Sequence, residues 1–470
     1  MKISKVLMMF AALLIFSASN FAQSIDVRVI DGLNAALDFT NGGNADTIIL
    51  VDDGGVYTTT PVTIISPVTI KAKEGLTNPP VILIKGCHAL PFIKIKNDFA
   101  LDGVIVDGYD PATTTYDSIQ YVLDVQSKAG DLNEKPNVSV LNTVIRNIYK
   151  FGNQATSVDG TIFDVITGAR AGVLLFENST FTHSGDEALR SINTHKSPVP
   201  VEGNFCTSMT VRNCTFHDIR GSSIKIEGDG DSTNVDSPVL IEHCTFNASQ
   251  LRVIWHRDLQ NTVMKNLLIT NLIQGNDQLD NVITFQGLGS TISYVDTFNN
   301  AVPNHTSGFL AETPSSWSGA KQTGTFDPAT IYNIDPMYAD AANGDFTLDA
   351  NSPIRTMGSD GKALGDVRWA GQVLAVEDLN TVATTFTLEQ NYPNPFNPTT
   401  YIQFAVPSAG KYSLKVFNLL GQEVANLIDQ ELSTGIFKAN FDAGNLSSGI
   451  YLYRLSGNNI NITKKMMFLK

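Results

Sequence analysis

The chain has 470 residues, 43% of them hydrophobic and only 17% charged, with a formal net charge of −14 at pH 7. That length allows two or three domains, or one elongated repeat domain with an accessory module. The acidic balance excludes nucleic acid and anionic membranes as bulk electrostatic partners, so a polyanionic ligand would have to meet a local basic patch.

Few charges among many small polar residues fit an exported β protein better than a helical cytosolic enzyme. Met1–Ala22 sets Lys2 and Lys5 ahead of the apolar run Val6–Phe16, then small residues, which is the pattern of a secretory signal peptide over residues 1–22. The run is too short for a membrane anchor, and no transmembrane segment is expected in the mature chain. Four cysteines (Cys87, Cys206, Cys214 and Cys244) do not suggest a disulfide framework in so large a chain. Cys214 and Cys244 fall at the same place in two repeats and read as stacked buried thiols, with a bridge between them as the alternative.

Val27-Arg28-Val29-Ile30 opens the folded part, followed by a short helix over Gly32–Phe39. One amphipathic helix ahead of many strands suits the capping of an open coil end against edge pairing. Alternation in Val62-Thr63-Ile64-Ile65, Val68-Thr69-Ile70-Lys71-Ala72 and Phe92-Ile93-Lys94-Ile95 predicts strands. One phrase then returns three times, as Phe176-Glu177-Asn178-Ser179-Thr180-Phe181, Val211-Arg212-Asn213-Cys214-Thr215-Phe216 and Ile241-Glu242-His243-Cys244-Thr245-Phe246. Asn142, Asn178, Asn213, His243 and Asn266 are equivalent bends, spaced by 36, 35, 30 and 23 residues. Those intervals suit a solenoid of stacked strands. Val211, Cys214 and Phe216 should point inward, and Phe181, Phe216 and Phe246 should form an interior ladder.

Loops are expected over 152–160, 197–204 and 228–237, on the face that builds a binding site. Residues 326–370, with Asp335-Pro336 and Gly365-Asp366-Val367-Arg368-Trp369, read as a closing segment that runs back along the coil. Residues 371–385 read as a linker. Short alternating strands at even spacing over 386–470 read as a small sandwich of roughly seven strands. The fold class is all-β: a right-handed parallel β-helix over 23–370, followed by a small Ig-like β-sandwich.

Two resemblances sharpen these expectations. The run Asn391-Tyr392-Pro393-Asn394-Pro395-Phe396-Asn397-Pro398, with Leu446-Ser447-Ser448-Gly449-Ile450-Tyr451 and Lys464-Lys465, resembles the C-terminal sorting domain of proteins exported by the bacterial type IX secretion system. It implies that residues 386–470 engage that machinery, and that the protein is secreted, extracellular or attached to the outer cell surface. Residues 25–370 resemble the pectin-lyase-like superfamily, and within it the chondroitinase-B and alginate-lyase group. That resemblance rests on the helix-plus-strand opening, the Asn-Cys-Thr-Phe rungs and the Asp335 to Trp369 closing segment. It implies β-elimination on a uronic-acid polysaccharide, with acidic residues holding Ca2+, a lysine as base and an arginine assisting. A monomer is expected, with an acidic polysaccharide as partner.

Alternation after Leu189, Ile224 and Leu251 sets Arg190, Lys225 and Arg252 outward on three successive rungs, as a basic column about 4.8 Å from strand to strand. Lys225 is the candidate base, Arg252 its partner, and Arg190 and His256 complete the catalytic set. Arg257, His217 and Trp255 are candidate substrate contacts, and Glu187, Glu227 and Asp229 candidate calcium ligands. The pattern departs from the active lyases, since Glu187 leads into Arg190-Ser191 rather than Lys-Ser, and Arg252 precedes Val253-Ile254-Trp255-His256 rather than His-Gly. Two alternatives follow: solvated basic faces of an exposed sheet, or a non-catalytic glycan-binding or adhesin-like surface protein. Paired aspartates on adjacent strands, as hydrolysis would require, are not evident, and Asp186-Glu187 is the nearest carboxylate pair.

Overall fold

The structure, a computed structural model, describes residues 23–126, 135–150, 159–166, 169–191, 205–228, 238–257, 259–272, 282–285, 289–300, 310–311, 325–370, 377–378, 386–408, 410–432, 435–443, 446–457 and 460–469. The signal-peptide stretch 1–22 and most of the three expected loops lie outside them. The chain divides into two compact units, Met1–Ala370 and Gly371–Lys470.

Three short strands per turn build the first unit. In one representative coil, Cys206–Arg212 lies on the first face, Thr215–Ile219 on the second and Ile224–Glu227 on the third. Each strand pairs in parallel with its counterparts one coil before and after. Val211 is in register with Phe176 and Ile241, and Phe216 with Phe181 and Phe246. The first and second faces join in a 19-stranded sheet, and the third forms a 9-stranded sheet. This is the expected parallel β-helix.

The bends explain the repeating asparagine. Asn142, Asn178, Asn213, His243 and Asn266 all adopt left-handed backbone, with φ of 49–58°, and Tyr294 continues the series. Asn tolerates this region better than most residues, and Asn213 Nδ2 also donates to Asn178 Oδ1 one rung below, at 3.2 Å. The next residue points inward and returns its hydrogen bond to the carbonyl two positions back. Ser179 Oγ donates to the Glu177 carbonyl at 2.9 Å, and Cys214 Sγ and Cys244 Sγ do the same to Arg212 and Glu242. Both thiols are free and buried, and burial pushes Cys214 up to about 12. A second left-handed series, Asn147, His183, Asp218, Ala248, Asn271 and Asn299, turns the chain from the second face to the third.

Inside, Phe181, Phe216 and Phe246 stack with centroids 5.1 and 4.9 Å apart. The capping helix runs Leu33–Asn41, and its buried residues Leu33, Ala36, Leu37 and Thr40 recur at helical spacing. Asn34 and Asn41 tie it to the coil through Thr60 and Thr63.

The closing segment does run back along the coil, crossing the first bend. Ser359 N donates to Asn266 Oδ1, His243 reaches the Ala363 carbonyl and the Asp360 carboxylate, and Thr215 Oγ1 donates to Asp366. Arg368, clamped on Asp366, donates to the carbonyls of Asn178 and Ser179. Phe346 lies over the second face against His217, Tyr338 and Trp369.

The second unit is a sandwich of two four-stranded antiparallel sheets around one core that includes Phe404, Leu414, Phe437 and Tyr453. The pair Glu377–Asp378, within the stretch read as linker, is a short strand of this unit. Its proline-rich run closes a sheet edge. Phe396 exchanges backbone hydrogen bonds with Met467 and Leu469, while buried Asn391 binds the Pro393 carbonyl, Thr400 and the Tyr453 hydroxyl. Among the described residues, no helix is long and apolar enough to cross a membrane.

The phenylalanine ladder carries much of the coil's stability. Phe216→Ala should cost about 3–5 kcal/mol, read as a lower denaturant midpoint of the full chain. An unchanged midpoint would mean that the ladder is not packed as described.

Candidate active site on the third face

On the third face, register fixes the column. Lys94, Asp124, Asp164, Arg190, Lys225 and Trp255 follow one another on successive rungs. The expected basic column is therefore mixed in charge, and its third member is Trp255 in place of Arg252. Arg252 lies two residues before the strand Ile254–Arg257, level with Ser222 and Glu187. It turns onto the indole, with its guanidinium carbon 3.9 Å from the Trp255 ring, and Lys225 Nζ lies 5.2 Å from the same ring.

Arg190 is the hub. Its Nε donates to Asp164 Oδ1 at 2.9 Å, its Nη1 approaches Asp186 and Glu187 at 3.4 and 3.5 Å, and its Nη2 donates to the Tyr121 hydroxyl at 2.8 Å. Lys225 Nζ donates to Glu187 Oε1 at 2.8 Å. Glu187 thus accepts from both cations. Gly221 supports the acids from behind: a Cβ there would meet the peptide between Asp186 and Glu187 at 2.7 Å, and its N–H donates to the Asp186 carbonyl.

Burial in so tight a cluster separates the protonation states. Burial, then the charge of Glu187, raises the Asp186 carboxyl above its ordinary range. For Glu187, burial pushes the same way but is outweighed by the hydrogen bond to Asp186 and by Lys225 and Arg190, so its carboxyl is lowered. The two carboxyls are driven apart, Asp186 towards its protonated form and Glu187 towards its charged one. Asp124, in register beside Asp164, is pushed up to about 6, mainly by burial. Its Oδ2 accepts from Gln126 at 2.6 Å, while Oδ1 is buried with no partner.

Other expected members do not reach this cluster. His256 is in register with inward-facing Ile226, is fully buried, and its Nε2 pairs with Thr262 Oγ1 at 2.8 Å; alternation sends it into the coil. His217 lies on the second face, beneath Phe346, with Nδ1 3.2 Å from Asn247 Oδ1. Arg257 is in register with buried Glu227. Glu187 is level with Ser222, so Glu227 stands five residues further along the strand. At ~3.3 Å per residue that is roughly 16 Å, too far to share an ion. Asp229 lies outside the described residues, among which no three His, Cys, Asp or Glu side chains are placed to hold a metal. The described residues thus do not fit a calcium site.

Asp124 and Asp164, paired on adjacent strands, are the aspartates that seemed missing. The signal was present, because Val122-Leu123-Asp124-Val125 and Ile162-Phe163-Asp164-Val165 are one phrase. The shift from Arg252 to Trp255 was also legible. Leu189, Ile224 and Ile254 each follow the ladder phenylalanine by eight residues, whereas Leu251 does not.

Asp124→Asn tests the buried acid. The raised carboxyl favours folding below its unfolded value near 4, and that contribution is lost as pH rises through about 6. The variant should gain about 1–3 kcal/mol at pH 7.5 and nothing at pH 3.5, measured by denaturant unfolding. An equal effect at both pH values would contradict the assignment.

Comparison with known proteins adds four findings. The family described as a domain of unknown function (DUF5123) matches residues 209–369, the later coils and the closing segment. The alginate lyase from Paenibacillus sp. str. FPU-7 is similar to this chain at 13% identity and a TM-score of 0.29, covering 66% of this chain and 97% of that one. No curated protein matches. Residues 390–469 match the secretion system C-terminal sorting domain, so the chain carries the signal for type IX export to the cell surface or the extracellular space.

Proposed function

We propose that this exported β-helix acts on an acidic polysaccharide bound against its third face, and opens a uronic-acid linkage by β-elimination. The observation that carries the reading is the adjacent Asp186 and Glu187 carboxyls gathered around Lys225 and Arg190. Two carboxyls whose environments push them apart provide a proton donor and a proton acceptor side by side. β-Elimination needs both: a base takes the proton next to the sugar carboxylate, and an acid delivers one to the departing glycosidic oxygen.

Asp186 is assigned as the donor. Lys225 and Arg190 draw the substrate carboxylate towards the cluster, which makes the neighbouring C–H more acidic. When the uronate displaces Lys225 from Glu187, the freed carboxylate accepts the proton while the Lys225 ammonium pairs with the sugar carboxylate. Trp255, braced by Arg252, offers a flat apolar surface to a sugar ring. Chondroitinase-B-like preference is one form of this reading, and the acidic class of the glycan is what the two cations favour.

A second reading is a glycan-binding surface without turnover. The favouring observation is that Arg190 and Lys225 already share the charges of Asp164, Asp186 and Glu187, as a structural network would.

Ultraviolet absorbance of unsaturated product separates the two when the full chain is incubated with alginate, polygalacturonate or chondroitin sulfate. Product should form from at least one polymer, and Asp186→Asn should slow it by about 10²-fold or more. The rate should fall on the alkaline side, where Asp186 loses its proton. Silence on all three polymers sinks cleavage of these substrates; full activity in Asp186→Asn removes the assigned donor.

A further inference from the structure

A cluster of tyrosines beside Asp186 is absorbed by neither the coil nor the cleavage chemistry. In the three coils of the phenylalanine ladder eight residues separate the second-face interior position from its third-face counterpart. After Val106, however, the chain makes an extra antiparallel hairpin, Tyr109–Asp110 paired with Thr115–Tyr116. It sits at the corner between these faces, the same corner that carries Asp186.

The hairpin is held firmly. Asp110 accepts from Lys85 Nζ at 2.7 Å, from Ala112 N at 2.8 Å and from Thr113 Oγ1 at 2.9 Å. Tyr109 N donates to Asp107, and Gly108 lies so close to the Asn147 carbonyl that no side chain could replace its hydrogen. Thr114, at the tip, takes left-handed backbone with φ of 55°, unusual for a β-branched residue.

What this frame presents is a continuous aromatic path. Tyr109 and Tyr116 have centroids 4.8 Å apart, and Tyr116 meets Tyr149 edge-on at 5.4 Å. Arg220 lies over Tyr149 at 5.6 Å. Tyr149, Gly185 and Arg220 occupy equivalent positions on three successive coils, so glycine at the middle position leaves the way clear for Arg220 to reach back. Gly221, next to Arg220, is the residue bonded to the Asp186 carbonyl. Tyr109, Tyr116 and Arg220 are all partly exposed, whereas Tyr149 is buried as their base.

We propose that Tyr109, Tyr116 and Arg220 form a sugar subsite flanking Asp186, where a uronate ring stacks on tyrosine and its carboxylate meets the guanidinium. Tyrosine faces suit the apolar face of a pyranose, and arginine suits a planar carboxylate. A glycan spanning Trp255, the acid pair and this hairpin runs obliquely across the third face and over its corner. The subsite rests on the reading of the third face as a glycan site, but it requires only binding.

Affinity electrophoresis of the full chain in gels cast with alginate, polygalacturonate or chondroitin sulfate, alongside KM and kcat where cleavage occurs, tests it. Tyr109→Ala should weaken retardation and raise KM about tenfold with kcat unchanged, the weight of one stacked ring. Tyr109→Phe should behave as wild type. Arg220→Gln should weaken binding of the native polymer but not of its carboxyl-reduced form. Retardation that depends on Tyr109 without any cleavage keeps the subsite and removes only the proposed reaction. Unchanged affinity in both Tyr109→Ala and Arg220→Gln, or no retardation of the wild-type chain by any of the polymers, overturns the subsite.

Discussion

Everything on this coil depends on parallel strands stacking in strict register. Once Phe216 sits above Phe181 and below Phe246, each residue on the second face has its neighbours fixed to within one strand spacing, ~4.8 Å. The third face inherits that alignment through bends of equal length beneath Arg190, Lys225 and Trp255, and through direct strand pairing at Asp164. Asp164, Arg190, Lys225 and Trp255 are therefore neighbours because the interior beneath them is repetitive, although 91 residues separate the first from the last. A charged cluster assembled this way is rigid without needing a loop to hold it, which is the condition for opposed carboxyl protonation states to persist.

The cluster is expensive, and that is informative. Asp164 and Glu187 are buried and Arg190, Asp186 and Lys225 half-buried, so five ionisable groups are wholly or partly withdrawn from water, and replacing such a network with apolar residues is often neutral or stabilising. The coil has no shortage of apolar alternatives. Its first face balances exposed charges in a simpler way, with Arg212 between Glu177 and Glu242, and Lys265 beyond. The third face instead stacks like charges, Asp124 on Asp164 and Arg190 on Lys225, and leaves one buried oxygen of Asp124 unbonded. Unfavourable adjacency of this kind is what a chemical site requires and a scaffold does not.

Sequence reading recovers this architecture well and the site only in part, for one physical reason. Interior positions obey a single requirement, apolar and of suitable size, so Phe181-Phe216-Phe246 and the left-handed asparagines repeat visibly. Outward positions on the third face obey no shared rule; Asp124, Arg190 and Trp255 are equivalent in space but not in chemistry. The Arg252 placement followed residue likeness, matching one apolar–basic pair to another, where constant spacing from the ladder would have chosen Trp255. His256 misled in a similar way, since a strand end seems accessible until alternation is counted and the ring proves to lie inside. The Asp186 proton depends on burial and on two cations from neighbouring rungs, neither of which a linear reading contains.

The closing segment narrows where the proposed site can lie. Residues 359–369 occupy the first bend, with Arg368 reaching Asn178 and Asp366 bonded to Thr215, and Phe346 covers the second face at His217. Those contacts stabilise the coil by returning the chain across several rungs, but they also remove two surfaces from any long ligand. The extra hairpin at Tyr109–Tyr116 then raises a wall at the corner between the second and third faces. Closure on one side and elaboration on the other leave the Asp186 corner as the polar surface of the described coil best placed to receive a polymer. Export through the C-terminal sorting domain brings that corner to the cell surface or the extracellular space, where the proposed acidic polysaccharide would be met.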